Sequence, residues 1–332
     1  MFDWSKQVIL LTGGTGSFGQ AFTHHLLSYH PPRALRIYSR DEFKQYEMQQ
    51  KFTHPCLRFF VGDVRDKERL KRAMEEATLV VHAAAMKQIV ACEYNPTEAI
   101  NTNILGTMNI INVALDEGVE RVFGLITDKA VSPINLYGAT KLCAEKLLIR
   151  ANSYRGEKKC LISSVRYGNV AGSRGSVIPL FLEQSKNKKL TITHKDATRF
   201  WITLEEGVKF VTRSIATMVG GEIFIPKMPS FRVFDLIRAI DPNVEVKHIG
   251  LRPGEKLHED LITRHEAANV SEFKDHYVIK PENIFWTQDK KLTSFGGKDV
   301  APDFIYNSRV NPHFLNTTEL HEFIATFTEL SL

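Results

Sequence analysis

Along the first half of the chain, short runs of β-branched and aromatic residues alternate with longer stretches whose apolar positions recur every three or four residues. The runs QVILLT (7–12), RALRIYS (33–39), LRFFVG (57–62), TLVVHAA (78–84) and RVFGLIT (121–127) predict strands. The segments 19–29, 41–51, 66–76 and 97–117 between them predict helices. In 66–76 the apolar face is clearest: Leu70, Ala73 and Met74, continued by Ala77, line up among charged neighbours. Strands separated by helices pair in parallel through right-handed crossovers, so the fold class is read as α/β, a doubly wound parallel sheet over 1–166. After that the rhythm breaks into loops rich in Gly, Pro and Asn, such as RYGNVAGSRGSVIP and HIGLRPGEK. No linker is long enough to free a separate domain. Residues 167–332 are therefore expected to form mainly a smaller ligand-binding lobe packed on the first, with a return to the first lobe between about 195 and 225.

Composition narrows the function classes. A chain of 332 residues can bury a large core, and its net charge of +5 is scattered apart from short clusters such as Lys186-Asn187-Lys188-Lys189. That excludes a nucleic-acid arm and suits an anionic small molecule. The four cysteines, Cys56, Cys92, Cys143 and Cys160, are too dispersed for a disulfide framework and are expected to be reduced, buried thiols. No apolar run approaches the ~18 residues of a membrane span, and Met1 to Lys6 carry no secretory signal. A soluble, cytoplasmic protein without a membrane partner, and without a metal site, is expected.

Chemistry begins at TGGTGSFG (12–19), between the first strand and the first helix. Gly13, Gly16 and Gly19 permit a tight turn, and with Thr15, Ser17 and Phe18 they bring backbone N–H groups of a helix start towards a pyrophosphate. This is the dinucleotide-binding arrangement of a Rossmann sheet. The second strand ends Tyr38-Ser39-Arg40-Asp41. A hydroxyl and a guanidinium there, with Lys44 following, favour NADP, although Asp41 as a ribose ligand keeps NAD open. Asp63 and Val64 after the third strand can meet the adenine, or Asp63 can instead cap the helix at 66. Small residues around Ala83 after the fourth strand let cofactor and backbone touch, and His82 is expected to be a packed histidine.

The fifth strand runs into LITDKAVSPINLYGATK (125–141). Tyr137 and Lys141 lie four apart and share a helix face. An ammonium beside the nicotinamide ribose would favour a tyrosinate able to take a hydroxyl proton while the carbon loses hydride. Thr127, at the strand end, would orient that hydroxyl. Asp128 and Lys129 have no place in this simple scheme.

Through TGGTGSFG, GDV, HAAA and YGATK the chain resembles the extended short-chain dehydrogenase/reductase family, and YSRDE, AAAMK, EYNP, ITDKA, TRFWIT, GGEIF and LRPGEKLHE extend the likeness over nearly its whole length. Within that family it is similar to the sugar-nucleotide 4,6-dehydratases. Thr127-Asp128-Lys129 stands where the retaining members commonly have Thr-Asp-Glu, and resembles the group that inverts C5 of UDP-N-acetylglucosamine. The resemblance implies a UDP-sugar substrate, Tyr137 acting at C4, Lys129 as base at C5 and Asp128 as acid for the C6 oxygen. It also implies substrate contacts from Lys87 (which the cofactor shares), Thr102, Asn169, Val170, Ser173, Arg174, Thr193, Arg252 and Glu255, with Arg199 divided between phosphate binding and support. A homo-oligomer is expected by the same likeness.

The bland reading of Lys129 is a solvated loop lysine. As a base at pH 7 it must first lose a proton, which costs about 4.6 kcal/mol from an ordinary lysine pKa near 10.4. Burial and the Lys141 cation would lower that cost, and an ionised Asp128 would raise it. A UDP-hexose 4-epimerase, a dehydratase with another C5 or 5,6-ene outcome, and a non-catalytic NADP-binding protein stay open as alternatives.

Overall fold

The computed structural model describes residues 2–171, 177–186, 188–281 and 296–329. Six strands follow the predicted alternation: β1 (Val8–Thr12), β2 (Ala34–Ser39), β3 (Leu57–Val61), β4 (Leu79–His82), β5 (Arg121–Thr127) and β6 (Leu161–Tyr167). They pair in parallel in the order β3-β2-β1-β4-β5-β6. Between them run α1 (Ser17–Tyr29), α2 (Glu42–Lys51), α3 (Lys67–Met74), α4 (Ile89–Tyr94), α5 (Pro96–Ile100), α6 (Gly106–Asp116) and α7 (Leu136–Ala151). The strand order reverses between β1 and β4, which opens a crevice at their carboxyl ends.

Strand alternation feeds a core on each face of the sheet. Ile9 and Leu11 of β1 join Phe22 and Leu26 of α1, while Val8 and Leu10 join Leu70, Met74 and Ile110 on the other side. The stretch expected as one helix over 97–117 is divided. Asn101–Leu105 forms a wider π-helical turn between α5 and α6, a feature that 3.6-residue periodicity does not encode and that often accompanies functional sites. It turns Asn103 inward, where the side chain accepts from Met86 N at 2.8 Å and donates to Thr140 Oγ1 at 3.0 Å. The loop after β4 is thereby tied to α7.

The chain past Tyr167 is shared between two structural regions. β7 (Asn169–Val170), α8 (Val177–Lys186), β8 (Lys189–Ile192) and β9 (Thr198–Ile202) lead away from the sheet. Then α9 (Leu204–Thr217) lies against α1, and β10 (Ile223–Pro226) pairs in parallel with β6. β11 (Ser230–Arg232), α10 (Val233–Ile240), β12 (Glu245–His248) and β13 (Asp260–Ile262) depart again. β14 (Val270–Glu272), β15 (His276–Ile279) and β16 (Lys298–Asp299) complete the ten-stranded sheet as an antiparallel edge. β17 (Tyr306–Asn307) pairs with β13, and α11 (Thr317–Glu329) packs on α10. The outer region has its own core, in which Phe181, Leu190, Trp201, Phe231 and Leu236 meet. Cys56, Cys92 and Cys160 are buried free thiols, but Cys143 is exposed on α7, because its helix position faces away from both cores.

Candidate active site

A cavity of about 770 Å³ runs from the carboxyl ends of β1 to β3, past β5, to the underside of the outer region. Every described residue assigned to a site from the sequence lines it except Asp128, which is fully buried. Ser173 and Arg174 lie outside the described residues.

At one end the backbone itself forms the wall. Gly13 has φ +66°, and a Cβ there would stand 2.9 Å from the Ala83 carbonyl carbon, so the turns after β1 and β4 can meet only with glycine present. Gly16 caps α1 without any side-chain bond, leaving the first N–H groups of that helix directed at the cavity. These features fit a dinucleotide pyrophosphate. Asp41 accepts from Lys44 N at 3.0 Å, capping α2, and pairs with Lys44 Nζ at 2.6 Å. The bond from Lys44 holds its carboxyl below the usual range. Asp63 does not cap α3, since Asp66 does so by accepting from Arg69 N. Instead Asp63 holds Arg65 at 2.7 Å and faces Arg40 at 3.8 Å. His82 is packed between Thr12 Oγ1 at 2.8 Å and Thr107 Oγ1 at 3.2 Å.

Midway along the cavity, Asp128 and Lys129 form a short 3-10 turn at the end of β5. Lys129 Nζ donates to Asp128 Oδ1 at 2.8 Å and to Asn169 Oδ1 at 3.1 Å. Thr127 Oγ1 also donates to Asp128 Oδ1, at 2.9 Å, while Asp128 Oδ2 has no partner. A second carboxylate completes the cluster, for Glu259 Oε1 lies 3.6 Å from Lys129 Nζ. Sequence reasoning missed Glu259, although it is the last residue of the quoted LRPGEKLHE. It is 3% exposed, and its Oε2 has no hydrogen-bond partner.

This cluster corrects the expected electrostatics. Burial disfavours the Lys129 ammonium, but Asp128 and Glu259 outweigh it and raise its pKa above the ordinary lysine value. Burial pushes Tyr137 up to about 12, opposed by Lys129 and by a hydrogen bond with Thr127. Lys129 is therefore the charge that most favours a tyrosinate. Burial lowers Lys141 to about 8, and its Nζ donates to Leu125 O at 2.9 Å.

Tyr137 and Lys141 are placed by the start of α7. Asn135 Oδ1 caps it by accepting from Gly138 N at 2.7 Å, and Asn135 Nδ2 donates to Gly254 O at 2.8 Å, joining the helix to the outer region. A Cβ on Gly138 would lie 2.2 Å from Lys129 O, so α7 rests directly on the Asp128–Lys129 backbone. At the far end Glu255 Oε1 accepts from Thr193 Oγ1 at 2.9 Å and from Arg199 Nη2 at 3.0 Å. Arg199 also donates to the Thr198 and Leu257 carbonyls, so it braces the wall as well as facing the cavity.

A family model described as polysaccharide biosynthesis protein matches residues 9–281. The chain is 48% identical over 327 residues to a UDP-N-acetylglucosamine 4,6-dehydratase (inverting) of Campylobacter jejuni, covering 97% of this chain and 98% of that protein. It is 39% identical to a UDP-glucose 4-epimerase of Rickettsia rickettsii, covering 96% of each. The structure of Pen from Bacillus thuringiensis matches at a TM-score of 0.89 and 36% identity, over 98% of this chain and 100% of that one. The dTDP-glucose 4,6-dehydratase DesIV of Streptomyces venezuelae, at 22% identity and a TM-score of 0.66 over 75% and 86% of the two chains, shares the fold.

Proposed function

The chain belongs to the polysaccharide biosynthesis protein family, within the extended short-chain dehydrogenases/reductases, and we propose that it is an NADP-dependent, C5-inverting UDP-N-acetylglucosamine 4,6-dehydratase. The observation that carries this reading is that Lys129, in the cavity wall beside Tyr137, is backed at 2.8 Å by Asp128. Oxidation at C4 makes the C5 hydrogen acidic, because the carbanion is an enolate. Loss of the C6 hydroxyl then gives a conjugated enone, and C5 is reprotonated on the opposite face while Tyr137 gives up the proton it took from the C4 hydroxyl, so the protons balance. The product is a UDP-4-keto-6-deoxy-hexosamine.

Each residue has a task in that sequence. Gly13, Gly16 and Gly19 with the start of α1 would hold the dinucleotide, which when bound removes hydride from C4 and restores it to C6. Thr127 orients the C4 hydroxyl and Tyr137 takes its proton. Lys141, with a pKa of about 8, carries most of its charge at neutral pH and stabilises the tyrosinate. Lys129 removes the C5 proton and Asp128 supplies one to the C6 oxygen. NADP is favoured over NAD because Asp41 is engaged with Lys44, leaving Ser39 and Arg40 to meet a 2′-phosphate. Arg199, Arg252, Glu255 and Thr193 face the UDP end.

A 4-epimerase, as in the Rickettsia relative, has no step that employs Asp128 and Lys129. Incubation with UDP-N-acetylglucosamine separates the readings by product mass, with loss of water for a dehydratase and no mass change for an epimerase. In deuterated water the C5 position should become labelled, and a dehydrated product without C5 label would refute the role given to Lys129.

A further inference from the structure

Lys129 begins as an ammonium between two buried carboxyl groups, Asp128 carrying the proton that its acid role requires and Glu259 without one, so its work as a base requires somewhere for a proton to go. Asp128 is a poor destination, because its task is to deliver a proton, and it already accepts from Thr127 and Lys129 through one oxygen. Glu259 has no such task, although like Asp128 it keeps one buried oxygen without a hydrogen bond. It lies on the segment between α10 and β13, its Oε1 is 3.6 Å from Lys129 Nζ, and its Oε2 is buried without a hydrogen bond. Nothing in the packing accounts for a carboxylate left this way, since an unpaired buried polar atom is destabilising. The other charges facing it are Arg199 Nε at 3.9 Å, Lys256 Nζ at 4.0 Å and, across Lys129, Asp128.

Resting on the dehydratase reading above, we propose that Glu259 is the proton partner of Lys129, a positioning residue that takes the ammonium proton and leaves the neutral amine facing C5. The Nζ–H bond breaks, an Oε1–H bond forms, and an ammonium–carboxylate pair becomes an amine and a carboxylic acid. The amine takes the C5 proton and is an ammonium again. It then gives a proton to Asp128, which has spent its own on the C6 oxygen, and recovers one from Glu259. All three groups end as they began. Burial raises the Glu259 carboxyl towards the protonated form, with Lys129 pulling the other way and Asp128 adding to the rise. Excluding water from the cleft favours the neutral pair further, since two charges lose more hydration than two neutral groups.

The test is Glu259→Gln, which keeps shape and removes the proton site, run beside the wild type with UDP-N-acetylglucosamine in the loaded enzyme. C4 oxidation, read as transient reduction of the dinucleotide, should keep its rate and KM should stay within twofold. Water loss at pH 7 should fall tenfold or more and should rise with pH, because Lys129 must now release its proton to solvent. Glu259→Asp, which keeps the charge but withdraws the carboxyl by about 1.5 Å, should lose water several-fold more slowly without that pH dependence. Wild-type water loss in either variant overturns the assignment. So does an equal slowing of C4 oxidation and water loss with an unchanged pH profile, which marks a structural role only. If Glu259→Gln does not fold, Glu259→Asp alone decides. A wild-type enzyme that yields an isobaric epimer would instead sink the dehydratase reading itself.

Discussion

Replacing Lys129 with methionine keeps most of the side chain's bulk and removes one charge from between two buried carboxylates. Asp128 is 0% and Glu259 3% exposed, so neither can recover water when the ammonium goes. Breaking a buried ion pair from one side costs about 3–5 kcal/mol. The sign with pH follows from the carboxyls. Burial holds the Glu259 carboxyl above its usual value against the pull of Lys129, so without Lys129 it rises further, and Glu259 is undisturbed below about pH 4 and costs stability as pH rises through its folded value. The deficit of Lys129→Met against wild type should thus be small near pH 4 and reach about 3–5 kcal/mol by pH 8, a midpoint shift of roughly 5–10 °C in this chain. Activity should divide the same way as the chemistry. Water loss should fall by about 10² to 10⁴ with the general base gone, while C4 oxidation by Tyr137 persists. Thermal unfolding across pH and product mass spectrometry measure the two halves. A variant that dehydrates at the wild-type rate, or whose stability deficit does not change with pH, would refute the reasoning.

Two other perturbations test the surrounding geometry. Gly138→Ala would set a Cβ 2.2 Å from Lys129 O, forcing α7 and the Asp128–Lys129 turn apart; a displacement near 1 Å should lower kcat about a hundredfold with the dinucleotide Kd unchanged by fluorescence titration. Arg40→Ala should raise the Kd for NADP about tenfold, the lower end for a charge-assisted bond at an exposed side chain, and leave the Kd for NAD within twofold. Equal effects on both cofactors would mean that Arg40 does not meet the 2′-phosphate.

The sheet was legible because its strands are consecutive and their spacing is a local property. The glycine turn at 13–19 and the helix carrying Tyr137 and Lys141 were legible for the same reason. The π-helical turn at Asn101–Leu105 was hidden, since a single wider turn hardly disturbs an apolar stripe. The pairing of β10 with β6, and of β15 with β10, depends on contacts across long stretches of chain that no local pattern records. Glu259 was hidden differently. It stood inside a recognised motif, but only the folded chain brings β13 and its approach against the turn after β5. Local sequence sets only Asp128 and Lys141 beside Lys129, whereas its second important neighbour in the folded chain is Glu259.

The identities at 129 and 259 constrain each other. A glutamate at 129 would gather three carboxylates around one buried point, with Arg199 and Lys256, at 3.9 and 4.0 Å from Glu259, as the other nearby cations among the described residues. Such a cluster keeps protons rather than surrendering them, and folding suffers from whatever charge remains. Lys129→Glu should accordingly unfold at a lower temperature than Lys129→Met at pH 8, where the added carboxylate is most costly. Exchanging the charges, as Lys129→Glu with Glu259→Lys, restores one cation to the cluster and should recover at least half of that loss. It should not recover water loss, because Glu259 is not part of the cavity wall and a lysine there would present its amine behind the wall instead of towards C5. Melting curves and product analysis on the three variants separate the two effects. If the exchanged pair dehydrates as well as wild type, the cluster's charge alone matters and the placement of the base at Lys129 does not.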